Sequence, residues 1–290
     1  MHFTATRWFR TAAAIFFVFL WGSAFVPSKI GVLESSPMWF LVVRFMVSGA
    51  LALAIARGLG APWPRGGRAW TQIVLLGVFA NALYLGCNYE ALRHLAAGVG
   101  SVVTSTNPLI LALFAPALLH EPVTPKKAGG LLLGFAGVLA IVLARHGSGT
   151  AEPRDVLLAL AGTLASVAST IIFKRLLVDQ DVRMTTALQL FAAGIALLPF
   201  ALAFEGMPHA HWGLPIALSF AYLVLVMSVG GSFLWFWLLE QGEASRVSAF
   251  YFLSPVFGLL IASLFGEPLS VRDAGGLAAI VAGITLVQRA

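Results

Sequence analysis

NPLILALFAPALLHEPVTPKKAGGLLLGFAG, residues 107–137, and SPVFGLLIASLFGEPLSVRDAGGLAAIVAG, residues 254–283, decide the fold of this chain. Each opens on a polar residue and a proline, runs apolar to a Glu-Pro pair, and resumes at a Gly-Gly pair followed by a further glycine. Pro108 and Pro255 are 147 residues apart, whereas Glu121 and Glu267, Gly129-Gly130 and Gly275-Gly276, and Gly137 and Gly283 are 146 apart. Earlier in each half of the chain the offset is 145: Lys29 aligns with Lys174, Arg44 with Gln189 and Gly49 with Gly194. A period of half the chain predicts a duplicated unit, with one copy over residues 1–145 and the other over 154–290.

Composition sets the solvent of that unit. Of 290 residues, 59% are hydrophobic and 10% charged, with a mean hydropathy of +0.91. A water-soluble domain could not hide so much apolar surface, which makes the bilayer the solvent. A helix needs roughly 20 residues to cross ~30 Å of hydrocarbon, so the length predicts about ten crossings with short loops. Apolar runs place them near residues 9–30, 38–57, 69–92, 98–119, 127–144, 155–177, 184–204, 213–239, 244–265 and 273–288. The run that follows Arg7 and Arg10 extends from Thr11 to about Ile30, too long for a signal-peptide core, and is read as the first span. Five spans per half is an odd number, so the second half must cross in the opposite sense. The expected fold is therefore all-α and integral to the membrane: ten transmembrane helices as two five-helix inverted-topology repeats around a central cavity. Opposed halves of this kind can open a midplane site to one side and then the other, which is the logic of a secondary transporter.

The net charge of +6 is spread over loops rather than clustered, so it reads as topology and not as a nucleic-acid surface. Twelve Lys and Arg fall on one side (Arg7, Arg10, Arg57, Arg65, Arg68, Lys126, Lys127, Lys174, Arg175, Arg183, Arg246, Arg289). Five fall on the other (Lys29, Arg93, Arg145, Arg154, Arg272). That imbalance predicts cytoplasmic termini and an external loop around residues 147–153.

Catalytic and metal-binding signatures are absent from the sequence: there is no H-E-x-x-H, no G-x-S-x-G, no cysteine cluster and no phosphate-binding loop. No enzyme activity, metal or cofactor is expected. The single cysteine, Cys87, reads as a packing residue, the loop histidines as solvated interface residues, and the glycines after Pro125 as sites of close helix approach.

Polar residues inside spans must find a partner or face a cavity. Asn81, Tyr84 and Asn88 share one face of the third helix. Ser101, Thr104, Ser105 and Pro108 share a face of the fourth; Thr163, Ser166, Ser169 and Thr170 lie on the sixth. Ser228, Ser232 and Trp235 follow on the eighth, and Ser248, Tyr251 and Ser254 on the ninth. With Trp21 at midspan and Arg44 inside the second helix, these stripes predict a central cavity that is polar and almost uncharged. The substrate contacts are assigned to Trp21, Arg44, Asn81, Tyr84, Asn88, Ser105, Ser169, Ser232, Trp235, Tyr251 and Ser254. Pro108 and Pro255 release backbone carbonyls at matched points and are assigned as hinges. Every carboxylate lies in a loop or within about a turn of a helix end, so no deep acid offers a proton relay. No midplane cluster of Lys and Arg exists to neutralise a phosphate. A neutral or zwitterionic solute fits best, with aromatic faces and amides orienting it.

The sequence resembles the drug/metabolite transporter superfamily in its ten-helix EamA-like branch. The likeness is carried by Trp21-Gly22-Ser23-Ala24-Phe25, Arg44-Phe45, Tyr89-Glu90-Ala91-Leu92, and the paired Pro, Glu and Gly-Gly positions quoted above. His120 departs from the pattern, since the family usually has glycine before the glutamate, as Gly266 stands in the second copy. Within that branch the chain is most similar to bacterial exporters of aromatic amino acids. The resemblance implies a multi-pass protein of a bacterial-type inner membrane that exports amino acids and related small metabolites by alternating access. Its partners would be that solute and the lipid bilayer, with no nucleic acid. A drug or other metabolite exporter of the same fold, a non-transporting scaffold and an intramembrane enzyme are the alternatives.

Overall fold

In a computed structural model of the chain, residues 7–95, 103–145, 152–177, 179–211, 213–257, 260 and 271–290 are described. They are almost wholly helical. We number the helices α1 (Trp8–Glu34), α2 (Pro37–Gly58), α3 (Gly66–Ala91), α4 (Asn107–Leu119), α5 (Pro125–Arg145), α6 (Pro153–Leu177), α7 (Val182–Glu205), α8 (Leu214–Gln241), α9 (Ala244–Ser248, continuing as a 3-10 turn Ala249–Leu253) and α10 (Val271–Gln288). Among the described residues six helices, α1, α2, α3, α6, α7 and α8, are long and apolar enough to cross a membrane. The Gly266-Glu267-Pro268 segment, Ser101, Ser148 and Trp212 lie outside the described residues.

The most extensive helix contacts join α2 to α7 and α5 to α10. Glycines make both possible. Gly130 meets the backbone of Gly283 while Gly137 meets that of Gly276, so α5 and α10 run antiparallel. Gly49 faces Phe191, and Gly194 faces Met46 and Val42, so α2 and α7 run antiparallel as well. Further contacts pair α1 with α8, α3 with both α6 and α7, and α4 with α9. Small residues let the backbones approach within van der Waals range, the main source of attraction between helices in lipid.

Backbone irregularity is concentrated in the other helices. α3 widens into a π turn at Val78–Leu83 and α8 at Leu223–Gly231, two segments that begin 145 residues apart. α1 breaks at Ala24. α4 starts at Asn107 after a turn at residues 105–106, which puts Pro108 in its first helical turn, and Pro255 follows the 3-10 segment of α9 in the same way. Irregular backbone inside a membrane protein is tolerated where it faces protein or a cavity, and π turns recur at functional sites. At the C-terminus of α4, His120 takes a left-handed conformation, φ 56°. That geometry favours glycine, so a histidine adopts it at a cost.

Candidate functional site

The irregular segments surround one cavity of about 1120 Å³, measured with its open mouth. Its floor is a cluster of five rings from α1, α3, α8 and α9. Phe17 stacks on Trp235 at 5.2 Å between centroids and Trp21 on Tyr84 at 5.9 Å. Tyr251 meets Trp235 at 5.1 Å and both Phe17 and Trp21 edge-on. From this floor the cavity extends along α3 past Asn88 to Leu92 and Leu95, at the end of the bundle where α3 terminates.

Nine assigned residues line this space: Trp21, Arg44, Asn81, Tyr84, Asn88, Ser169, Ser232, Trp235 and Tyr251. Ser105 and Ser254 line a smaller pocket instead, which shares Trp21, Tyr84, Thr104, Ser166 and Tyr251 with the first. The amides are less free than their helical face suggests. Asn81 Nδ2 donates to Gln189 Oε1, and Asn88 Nδ2 donates to the Tyr84 carbonyl at 2.8 Å, so each offers mainly its carbonyl side to the cavity. The Ser169 hydroxyl donates to the Ser166 carbonyl of its own helix at 2.7 Å. Phe17 and Ser28 escaped the sequence reading, although they lie four residues before and seven after Trp21, on its face of α1. Trp237 packs edge-on against Phe9 at 5.9 Å, away from the ring cluster.

Arg44 sits beside the cavity with 5% of its surface exposed. Its Nε donates to Ser228 Oγ at 2.8 Å and its Nη1 to Tyr89 OH at 3.0 Å. Tyr89 in turn donates to Ser28 Oγ at 2.9 Å. The guanidinium also lies 5.6 Å from the Phe45 ring centroid. Gln189, its counterpart in the second copy, is likewise buried but carries no charge.

Below the ring floor the bundle is sealed. The segment between α8 and α9 is gripped from three helices and from the loop after α4. Arg10 Nη1 donates to the Gln241 carbonyl at 2.7 Å, and Lys174 Nζ to the Leu239 and Gly242 carbonyls at 3.0 and 2.9 Å. Lys127, 2% exposed in its side chain, pairs with Glu243 at 2.8 Å. Glu121, following α4, accepts from Ala244 N at 2.7 Å, Ser245 N at 3.1 Å and Ser245 Oγ at 2.6 Å. Those two amides open α9, where the helix dipole and unpaired N–H groups favour a carboxylate. Burial alone would raise the Glu243 carboxyl, but hydrogen bonding and charge from Lys127 and Arg246 hold it below the ordinary carboxylate range. Its contribution is therefore present at neutral pH and fades as pH falls through that lowered value. At the opposite end the equivalent lysine, Lys29, donates to the Leu92 carbonyl, at 3.0 Å and exposed.

A helical bundle with a central polar-aromatic cavity, sealed at one end, belongs to the class of multi-pass membrane transporters. The sequence profile of the EamA-like transporter family matches residues 10–143 and again 154–289, and the chain belongs to that family. It is 30% identical over 288 residues to "Uncharacterized transporter YvbV" of Bacillus subtilis, covering 96% of this chain and 92% of that protein. It is 26% identical over 285 residues to a "Probable amino-acid metabolite efflux pump" of Salmonella typhimurium, covering 93% and 92%. A solved crystal structure shares the fold at a TM-score of 0.79 and 20% identity, over 98% of both chains.

Proposed function

We propose that the protein is an exporter of amino acids, including those with aromatic and other apolar side chains, and of related small zwitterionic or neutral metabolites. The observation that carries this reading is the cavity itself: flat aromatic faces at its floor, amide and hydroxyl groups above them, and a single cation. Aromatic faces attract both an apolar side chain and an ammonium, the latter by about 0.5–2 kcal/mol. The similarity to a probable amino-acid metabolite efflux pump points the same way. Uptake of a labelled amino acid into proteoliposomes, with and without a pH gradient, tests it. Excess unlabelled aromatic amino acids should compete and a triose phosphate should not. Competition by the phosphate alone would move the protein to anionic substrates.

Alternating access would come from two five-helix halves, residues 1–145 and 154–290, crossing a bacterial inner membrane ten times in opposite senses. The antiparallel pairing of α2 with α7 and of α5 with α10 supports this arrangement, because each pair joins corresponding members of the two copies. On this reading Pro108 and Pro255 are hinges, and the sealed end, rich in Lys and Arg, faces the cytoplasm with both termini. In a Cys87→Ser background, a cysteine replacing Ser148 should react with an impermeant thiol reagent in intact cells, and one replacing Arg65 should not. The reverse pattern would overturn the orientation.

A further inference from the structure

The cavity holds more hydrogen-bond donors than acceptors around one buried cation. Arg44 is 5% exposed, sits inside the membrane-spanning part of α2, and makes no ion pair among the described residues. Of its five N–H groups, two are engaged, by Ser228 and Tyr89. Both N–H groups of Nη2 and the second of Nη1 have no acceptor among the described residues. Ser228 and Ser28 each accept a bond, from Arg44 and Tyr89, so their own hydroxyl protons remain to be given. Arg44, Ser28, Tyr89 and Ser228 all line the cavity. An uncompensated guanidinium at this depth is costly unless water or an anion meets it.

Resting on the amino-acid reading above, we infer that Arg44 is the receptor for a substrate carboxylate, with Ser28 and Ser228 completing the site. A carboxylate carries one charge and two acceptor oxygens in the planar arrangement that a guanidinium fork matches. A phosphate dianion would leave one charge without a partner in a low-dielectric site. A primary amide would bring two more donors to a place that already has donors to spare. Ser28 lies seven residues, about two turns or roughly 10 Å, along α1 from Trp21. A carboxylate held at Arg44 therefore directs the rest of the molecule down the cavity to the rings at its floor. Tyr89 and Phe45 position the guanidinium without needing to touch the substrate.

The test is equilibrium binding, followed by tryptophan fluorescence of the purified full-length protein, with two matched pairs: phenylalanine against phenylalaninamide, and phenylacetate against phenylacetamide. The wild type should bind each carboxylate at least about tenfold more tightly than its amide, since hydrogen bonds to charged groups are the strong ones. R44Q should bind the members of each pair alike, and R44K should restore part of the preference. Ser228→Ala removes one donor and keeps the charge, so it should lower the preference several-fold, and it serves as the readout if R44Q does not fold. Equal wild-type binding within both pairs, or a full preference retained in R44Q or in Ser228→Ala, would overturn the assignment. An Arg44-dependent preference for phenylacetate, with phenylalanine not bound, would leave the carboxylate receptor standing and remove the amino-acid reading. Failure of the wild type to bind either carboxylate would overturn both.

Discussion

Gly283→Ala should destabilise the protein severely, whereas Gly129→Ala and Gly275→Ala should leave it unharmed, although all three are glycines of the same repeated motif. A Cβ on Gly283 would stand 2.5 Å from the Gly130 carbonyl oxygen and 2.5 Å from the Gly134 amide nitrogen. Both are backbone atoms, which no rotamer change can move, so α5 and α10 would have to part along their whole contact. Overpacking of this kind costs ~3 kcal/mol, the upper part of its usual range, and the lost interface adds to it. Gly137→Ala and Gly276→Ala should behave similarly, with contacts of 2.6 Å to the Gly276 carbonyl oxygen and 2.4 Å to Ile141 respectively. Gly129 and Gly275 have nothing within 4 Å of a Cβ; there alanine should gain about 0.5–1 kcal/mol by restricting the unfolded helix. Thermal unfolding of each variant in the same detergent decides the matter. Equal melting temperatures for Gly283→Ala and Gly275→Ala would mean that the two helices are not packed as described.

The contrast within a Gly-Gly pair marks the boundary of what the sequence discloses. Period and composition announce the helices, because crossing a bilayer demands long apolar runs and a duplication repeats its glycines and prolines. Which glycine of each pair faces a partner depends on helix rotation, and apolar residues all around α5 and α10 leave that rotation unmarked. The cavity was legible for a related reason. Tyrosine, tryptophan and asparagine at midspan are expensive against lipid, so their helical faces point inward, and Trp21, Tyr84, Trp235 and Tyr251 do meet in one ring cluster. Phe17 gave no such signal, since phenylalanine is equally at home facing lipid, yet it stacks on Trp235. The partners of Arg44 were also hidden. Ser28, Tyr89 and Ser228 come from three helices, and only the π turns of α3 and α8, which no local motif announces, fix how those helices are rotated about the cavity.

Glu121→Ala should both destabilise the protein and unseal the end of the bundle where α8 passes into α9. The Glu121 carboxylate, 7% exposed, is the acceptor for two backbone amides and one hydroxyl at the start of α9. Removing it leaves three buried donors without an acceptor, at about 1–3 kcal/mol each, so roughly 3–9 kcal/mol of the closed arrangement is lost. Part of that loss falls on the folded state and part on the balance between closed and open ends. A shift of even ~3 kcal/mol changes such a balance more than a hundredfold. Glu121→Gln keeps the shape and one carbonyl acceptor and should fall between alanine and the wild type. Spin labels at Lys126 and Gln241, in a Cys87→Ser background, straddle this junction. In Glu121→Ala their distance distribution should gain a longer component, and net transport should drop because the closed state that the cycle requires is no longer populated. Lys127, Lys174 and Arg10 grip the same segment, but each could be replaced in part by water at the end of the bundle, whereas among the described residues the buried amides of Ala244 and Ser245 have Glu121 alone as acceptor. A variant with unchanged melting temperature and an unchanged label distance would show that α9 is held by its apolar packing alone.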